Sequence, residues 1–466
     1  MTIDPPRSFM AHLPLAAASL AAMIAVQADE ALAAERRRAS ATAPAIVAWY
    51  RLEAMPLPLP EDARAASLAL DFRMGGISDL VAAPADADGR RAFWAVTDRG
   101  PNGFVERPAS SGKPASALRT LPVPEFRPLV VRLELEEPAA AGAPGIIHVG
   151  RIQPILTSDG RPTSGRPAIG PPRGKAMVDP ATARPLPIDP DGLDSEGLAP
   201  TGDGGFWVAE EYAPSLVRLS SDGRMTRRIV PAGMALDGAG CEVIEGLPAD
   251  YLRRQDNRGF ESLARAPDGS KIFAMLQSPL EALAGEEDLE RGKVPLVVID
   301  PATGTALAEF AYPLGAKDEP AELVAAADGK ISAITASGPE SLLVLEQSAT
   351  ASRIYEVDLD GASNTLPHRS PRAADALRQA KPLAKRLVAD LADLAGRFHG
   401  ELTIGAEGTP AKLSDLKFEG LALLAPGVVA IINDNDFDMD AAGAAPASPA
   451  IRRTCLWVLE LGSGGD

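Results

Sequence analysis

Cysteine, histidine and positive charge are all scarce in this 466-residue chain, and each shortage removes a class of function. Cys241 and Cys455 are the whole complement of thiols; they suffice for one disulfide in an oxidising compartment and are equally compatible with two unrelated buried thiols. Of the 4 histidines, His148, His368 and His399 lie beyond the first 34 residues, and none falls in a recurring motif, which argues against a zinc site. With 46 Lys and Arg against 63 Asp and Glu, the formal charge is -17, a surface that repels nucleic acid and anionic membranes. No G-x-S-x-G elbow, Ser/His/acid trio, P-loop or dinucleotide fingerprint can be picked out, so nucleophilic-serine and nucleotide chemistry have no support.

Long hydrophobic runs are missing too. The apolar stretch Leu13 to Val26 is 14 residues, shorter than a bilayer span. It is followed by Ala31-Leu32-Ala33, which resembles the core and small-residue cleavage site of an export signal, although its leading segment balances Arg7 with Asp4. Residues 1–34 are therefore expected to be a signal peptide, giving a periplasmic or secreted protein with no integral membrane segment in the mature chain. The whole chain, with 46% hydrophobic and 23% charged residues, has an ordinary globular composition.

What the chain does have is a pattern met five times: an apolar step carrying Ser or Glu, then an apolar run ending in an acid or amide. The steps centre on Ser78, Glu196, Glu261, Ser332 and Glu419, and the runs end at Asp98, Glu211, Gln277, Gln347 and Asp434. A second apolar run closed by a turn follows each, as at Ser215 to Ser220 before Asp222-Gly223 and Arg353 to Leu359 before Asp360-Gly361. Such runs read as hairpins, and many in series as an all-β fold. Intervals of 118, 65, 71 and 87 residues between steps suit units of three or four strands. Stacking such sheets radially buries both faces of each, so the pattern predicts a β-propeller of five or six blades, the first interval having room for a degenerate blade. Ala45 to Leu52 reads as a strand that closes the ring beside the C-terminal one. The Pro- and Gly-rich stretch from Gln153 to Pro190 is expected to be a long surface insertion. Leu383, Leu387, Leu391 and Leu394, after Pro382, predict one amphipathic helix on the rim.

Innermost propeller strands line a central channel, so the recurring polar residues should form two rings there. One ring holds Ser78, Glu196, Glu261, Ser332 and Glu419; the other holds Asp98, Glu211, Gln277, Gln347 and Asp434. Carboxylates so gathered repel unless a cation, water or Arg/Lys compensates, and all-oxygen donors suit Ca²⁺ or Mg²⁺. For each acid alone, a strand-end role bonded to backbone N–H groups is the simpler reading. The acidic run Asn433 to Asp440 lacks the Gly and closing Glu of an EF-hand loop. Arg99, Arg258 and Lys417 lie beside the rings and either bind an anionic substrate or neutralise the acids.

Several segments resemble the phytase-like family described as "esterase-like activity of phytase": Asp194-Ser195-Glu196-Gly197-Leu198, Phe206 to Ser215, Arg258-Gly259-Phe260-Glu261-Ser262-Leu263, Gln277-Ser278-Pro279-Leu280 and Asn433-Asp434-Asn435-Asp436-Phe437. The resemblance runs from about residue 70 to the C-terminus and implies a phytase-like propeller domain over residues 45–466. It further implies a channel-mouth site, an exported protein, and hydrolysis of a small anionic phosphoester or an ester with a divalent cation, calcium by preference. On that basis Glu196, Glu211 and Glu261 are candidate catalytic residues. Arg99, Arg258 and Lys417 are candidate substrate ligands, and Glu196, Glu261, Glu419, Asp434 and Asp98 candidate metal ligands. The chain departs from the usual family pattern at Ala213 and Ser262, where Gly is common. The alternative is a non-catalytic propeller that binds a ligand or protein through its faces.

Overall fold

Short apolar runs punctuated by turns form 25 strands among the described residues of the computed structural model. It describes residues 43–61, 63, 72–107, 116–140, 142–170, 177–281, 292–315, 328–368, 377, 380–397, 403–404, 409–410, 416–439 and 453–462. The expected signal peptide therefore lies outside the described residues. No helix among them is long and apolar enough to cross a membrane.

In chain order the strands are β1 (Ala45–Leu52), β2 (Ile77–Ala83), β3 (Ala92–Thr97), β4 (Gly103–Arg107), β5 (Ser116–Thr120), β6 (Leu129–Glu136) and β7 (Gly145–Pro154). Next come β8 (Ser195–Pro200), β9 (Phe206–Glu210), β10 (Ser215–Leu219), β11 (Met225–Pro231), β12 (Glu242–Leu247), β13 (Phe260–Arg265), β14 (Ile272–Leu276), β15 (Lys293–Ile299) and β16 (Ala306–Pro313). The last are β17 (Lys330–Ala336), β18 (Ser341–Gln347), β19 (Ser352–Asp358), β20 (Ala384–Asp390), the short pair β21 (Thr403–Ile404) and β22 (Thr409–Pro410), β23 (Lys417–Ala425), β24 (Val428–Asp434) and β25 (Cys455–Glu460).

Consecutive strands pair antiparallel into meanders: β2-β3-β6-β7, β8-β9-β10-β11 with β12 added in parallel, β13 to β16, β17 to β20, and β23-β24-β25. The opening strands touch in a cycle, β2 with β8, β8 with β13, β13 with β17, β17 with β23, and β23 with β2. The result is an all-β, propeller-like ring. Interior strands such as β9 and β14 are buried at every residue, because a sheet follows on either side. Between the sheets lie apolar layers: Trp207, Leu216 and Ile229 meet Phe260, Phe273 and Leu296 in one, and Leu343 and Ile354 meet Phe418 and Trp457 in another. Phe418 and Trp457 pack edge to face at 5.4 Å. Fully burying an aromatic side chain of this size contributes about 1.5–3 kcal/mol.

β1 closes the ring. It pairs antiparallel with β25 and, at Tyr50 to Leu52, parallel with β7, so the first and last meanders merge into one eight-stranded sheet. The long first interval is filled by the β4–β5 hairpin and the segment between β7 and β8.

Two expectations need correction. The stretch around Leu387 is not an amphipathic helix: β20 runs over Ala384–Asp390 as the outer strand beside β19, and a 3-10 turn covers Leu391–Arg397. Leu383, Leu391 and Leu394 are buried while Leu387 is 45% exposed, so the helical spacing was a coincidence of a strand followed by a turn. The unpaired edge of β19 decided the outcome, since tertiary pairing overrides a weak local periodicity. Nor is the stretch from Gln153 to Pro190 a simple surface insertion. Ile155, Thr163, Ser164, Met177 and Val178 are buried, and a Cβ at Gly165 would collide with the backbone carbonyl of Arg99. Its prolines and glycines permit close packing over one end of the ring. Cys241 and Cys455 are free thiols.

Candidate functional site

All five opening strands are bulged at the recurring polar residue. Their register with the second strand slips between Ile77 and Asp79, Ser195 and Gly197, Phe260 and Ser262, Ile331 and Ala333, and Phe418 and Gly420. The residue skipped in each case is Ser78, Glu196, Glu261, Ser332 or Glu419. A bulge adds one residue against its partner strand and re-aims a side chain, which takes these groups out of the regular alternation. Because each second strand is antiparallel to the first, its last residues lie beside the first strand's start. Ser195 therefore pairs with Glu210, and Lys417 with Asp434. Both polar rings thus sit at one end of the ring of sheets, and all ten residues are buried.

A cavity of about 410 Å³ opens there. Its lining includes Asp98, Glu196, Glu211, Glu261 and Glu419 from the rings, together with Arg99, Arg258 and Lys417. Asp434 lies behind Lys417, whose Nζ stands 2.8 Å from Asp434 Oδ2, 3.0 Å from Glu419 Oε1 and 3.1 Å from Asp436 Oδ1. Ser78, Ser332 and Gln347 do not line the cavity; Gln347 Nε2 donates to the Leu416 carbonyl at 2.7 Å. The acidic run after β24 is largely spent on structure. Asn435 Oδ1 accepts from Gly76 N at 2.9 Å, Asn433 Oδ1 accepts from Cys455 N at 2.7 Å, and Phe437 packs against Phe126.

Arg99 organises the opposite wall. It forms an ion pair with Asp194, approaches Glu211 Oε2 at 3.5 Å, donates to Asn257 Oδ1 at 2.6 Å, and lies over the ring of Tyr212. Asn257 adopts a left-handed φ of 56° and donates to Glu211 Oε2 at 2.6 Å. Gly259 allows that loop to approach, since a Cβ there would strike the Glu211 carbonyl. Asp98, Asp194 and Glu196 each present a carboxylate oxygen, all within 4.8 Å of one another. Gln277 Nε2 donates to Glu261 Oε2 at 2.6 Å, and Arg258 Nη2 pairs with Asp328 at 2.7 Å.

Crowding of carboxylates in a buried place shifts their titration. Burial, followed by the charges of Asp98, Glu261, Glu419 and Glu211, holds Glu196 well above the usual carboxylate range. Burial and the neighbouring Glu211 and Glu419 do the same to Glu261, against Lys330 and the Gln277 hydrogen bond. Glu211 is raised by burial, with Arg99, Arg119 and Arg258 opposing. Burial works against the charge of Lys417, but Asp434, Asp436 and Glu419 outweigh it and raise its pKa.

Seven acids and five bases line the cavity, so a cation is accommodated by charge as well as by donor type. Oxygen donors at this spacing fit a hard divalent cation, and Asp194 Oδ1, Glu211 Oε1 and Glu419 Oε2 are buried without a hydrogen-bond partner. Asp98, Asp194 and Glu196 would hold it. Partial compensation is already present in the protein: Asp194 is paired with Arg99, Glu261 is hydrogen-bonded to Gln277, and Glu419 and Asp434 are paired with Lys417. The repeat pattern missed Asp194, Asn257, Lys330, Arg119 and Asp256, which reach the site from loops or from positions outside the two rings. Only Asp194 carried a signal, standing two residues before a ring Glu.

A family model described as "Phytase-like: Esterase-like activity of phytase" matches residues 73–437. An "Uncharacterized secreted protein" of Arthroderma benhamiae is 30% identical over 122 residues, 23% of this chain and 24% of that protein, so the match spans about a quarter of that relative's length. Among solved structures, a streptogramin B lyase is 10% identical over 89% of this chain and 98% of its own, with a TM-score of 0.30. A virginiamycin B lyase from Staphylococcus aureus is 9% identical over 88% and 99%, with a TM-score of 0.28. Likenesses at these TM-scores carry no argument about this chain.

Proposed function

Since the chain belongs to the phytase-like family, we propose that it is an exported five-bladed β-propeller that hydrolyses a phosphoester or ester bond in the cavity at the end of the ring. The observation that carries this reading is the meeting of Asp98, Asp194 and Glu196 within 4.8 Å, two of which, Asp98 and Glu196, line a cavity together with Arg119 and Arg258. Export is supported by the apolar run before Ala31-Leu32-Ala33 and by the secreted relative. Five blades are supported by the five cyclically touching opening strands.

A divalent cation, when bound, would supply Lewis-acid polarisation of the phosphoryl or acyl oxygen and a more acidic water. The chain's own groups do the rest. Arg258, with Nη1 buried and unpartnered, and Arg119 orient an anionic substrate group. Glu211, held by Asn257 and Arg99, accepts a proton from the attacking water as its oxygen bonds to phosphorus or carbon. Glu261, whose pKa is raised by burial and its carboxylate neighbours, donates a proton to the departing oxygen as the ester bond breaks. Water is thereby divided between the two products and the charges balance.

The test is metal content of protein purified without chelator, with turnover of 4-nitrophenyl phosphate and 4-nitrophenyl acetate before and after chelation. Chelator-sensitive turnover that Glu196→Gln and Asp194→Asn each reduce at least about 100-fold supports the reading. A metal-free protein with no turnover of either ester sinks it and favours a binding propeller, for which the existing compensation of carboxylates by Arg99 and Lys417 is the supporting observation.

A further inference from the structure

The β4–β5 hairpin is inserted between two strands of the first meander and lines one side of the cavity. Phe104 and Arg119 stand directly opposite each other across it. The Arg119 guanidinium lies over the Phe104 ring, 4.9 Å from its centroid, and Arg119 Nη1 donates to Asn102 Oδ1 at 3.2 Å. Asn102 in turn donates to Asp98 Oδ2 at 3.2 Å, so the hairpin is tied to the carboxylate group through one side chain. Its base is fixed as well, because Val178 N donates to the Arg119 carbonyl at 2.9 Å. Phe104 nevertheless remains 47% exposed, in a cavity whose remaining lining is overwhelmingly polar or charged.

A single exposed Phe needs no explanation on an open surface. Here the ring is held by a cation on a braced hairpin and forms part of the wall of the cavity that contains Asp98 and Glu196. We infer that Phe104 and Arg119 form a ring-binding subsite, and that the ester or phosphoester taken by this cavity carries an aromatic group. The term substrate rests on the hydrolase reading; recognition of the ring does not. A phosphate or hydroxyl group gains nothing from an apolar face, and the C–H face of a sugar or cyclitol gains less than an aryl ring does. An aryl group gains an offset or edge-on ring contact, while its anionic or polar end lies toward Arg119 and Arg258. Contacts of this kind change affinity by about two- to tenfold.

The experiment is calorimetric titration of the full chain with phenylphosphonate and with methylphosphonate, which share the anion and differ in the ring. Turnover of phenyl acetate and of phenyl phosphate is followed in parallel. Phe104→Leu keeps apolar bulk and removes the ring; Phe104→Tyr keeps the ring. Wild type and Phe104→Tyr should bind phenylphosphonate about tenfold more tightly than methylphosphonate, and Phe104→Leu should bring the ratio below about threefold. Equal binding of the two probes, binding of neither, or a ratio unchanged in Phe104→Leu overturns the subsite. If the ring preference is found but neither phenyl ester is turned over, the subsite stands and the hydrolase reading fails.

Discussion

Arg99 has more at stake than any other single side chain near the cavity. It is 2% exposed and faces the carboxylates of Asp98, Asp194 and Glu211. Removing one partner of a buried ion pair leaves the other charge uncompensated, at a cost of about 3–5 kcal/mol. Arg99→Met should therefore lower the urea midpoint by that equivalent, and Arg99→Lys should recover only part, because an ammonium cannot reproduce the guanidinium's fork. An unchanged midpoint in Arg99→Met would show that the carboxylates are compensated by other means. Glu210 gives a second prediction. It is fully buried, with Oε2 3.4 Å from Arg228 Nη2, and burial pushes its pKa to about 7 against the opposing pull of Arg228, Arg254 and Arg99. Since the folded value exceeds the unfolded one, Glu210 favours folding below about pH 4.5, and that contribution is lost as pH rises toward 7. The loss is about 3 kcal/mol, and Glu210→Gln should flatten the fall in stability over this window when unfolding is followed at fixed temperature. The ring acids were legible in the sequence because each repeats in register. Asp194 was marked only by standing two residues before a ring Glu, and Asn257 not at all, because a loop residue is brought to the site by the path of its own loop and leaves no periodic trace.

At the scale of the element, the bulge in each opening strand explains a residue preference that sequence alone left as a departure from pattern. The position after the bulge faces the neighbouring opening strand at Asp79, Gly197, Ser262 and Gly420, while in β17 it is Ala333. At Asp79, Oδ2 accepts from Leu198 N at 2.8 Å, and at Ser262, Oγ accepts from Ile334 N at 2.7 Å. At Gly197 a Cβ would lie 2.8 Å from Leu263 N, so the strands close with no side chain between them. Glycine and a hydrogen-bonding side chain are thus two solutions to one contact, and Ser262 is a substitution of one for the other. Gly197→Ala should force β8 and β13 apart and cost about 1–3 kcal/mol, read as a lower thermal midpoint. Ser262→Ala should lose a similar amount through an unpaired buried N–H, with Ser262→Thr milder if its hydroxyl keeps the bond. No change in the midpoint for either Ala variant would mean that the opening strands are not held at this spacing. The first three strands of each repeat and β1 were readable from apolar runs and turns, whereas β4, β5, β7, β11, β12 and β16 were not. The bulges were not, because a one-residue slip leaves the run's composition unchanged. β20 was hidden for a different reason: Leu383, Leu387, Leu391 and Leu394 satisfied a helical template that pairing with β19 then overruled.

The whole molecule depends on a strand from the far end of the chain. β1 joins β25 antiparallel and β7 parallel, and it places Tyr50 and Leu52 in the layer that also holds Leu133, Ile147 and Leu456. Gly145 accommodates it, since a Cβ there would strike the Tyr50 ring. Without β1, β25 and β7 become open sheet edges and these apolar groups are exposed. An unpaired edge is a template for association with another chain, and burial of Tyr50 and Leu52 alone is worth about 3–6 kcal/mol. Domain stabilities of about 5–15 kcal/mol leave little after such a loss. A chain beginning at residue 43 keeps β1 whole and serves as the reference, with a single cooperative transition. A chain beginning at residue 54 should lose its cooperative transition and scatter light on warming. Adding a synthetic peptide of residues 43–53 should restore the transition in proportion to its concentration, as expected for a ligand that binds only the folded state. Full cooperativity without β1 and without peptide would show that the remaining sheets close the ring unaided, and that the seam between the chain's ends is an ornament of the fold rather than a condition for it.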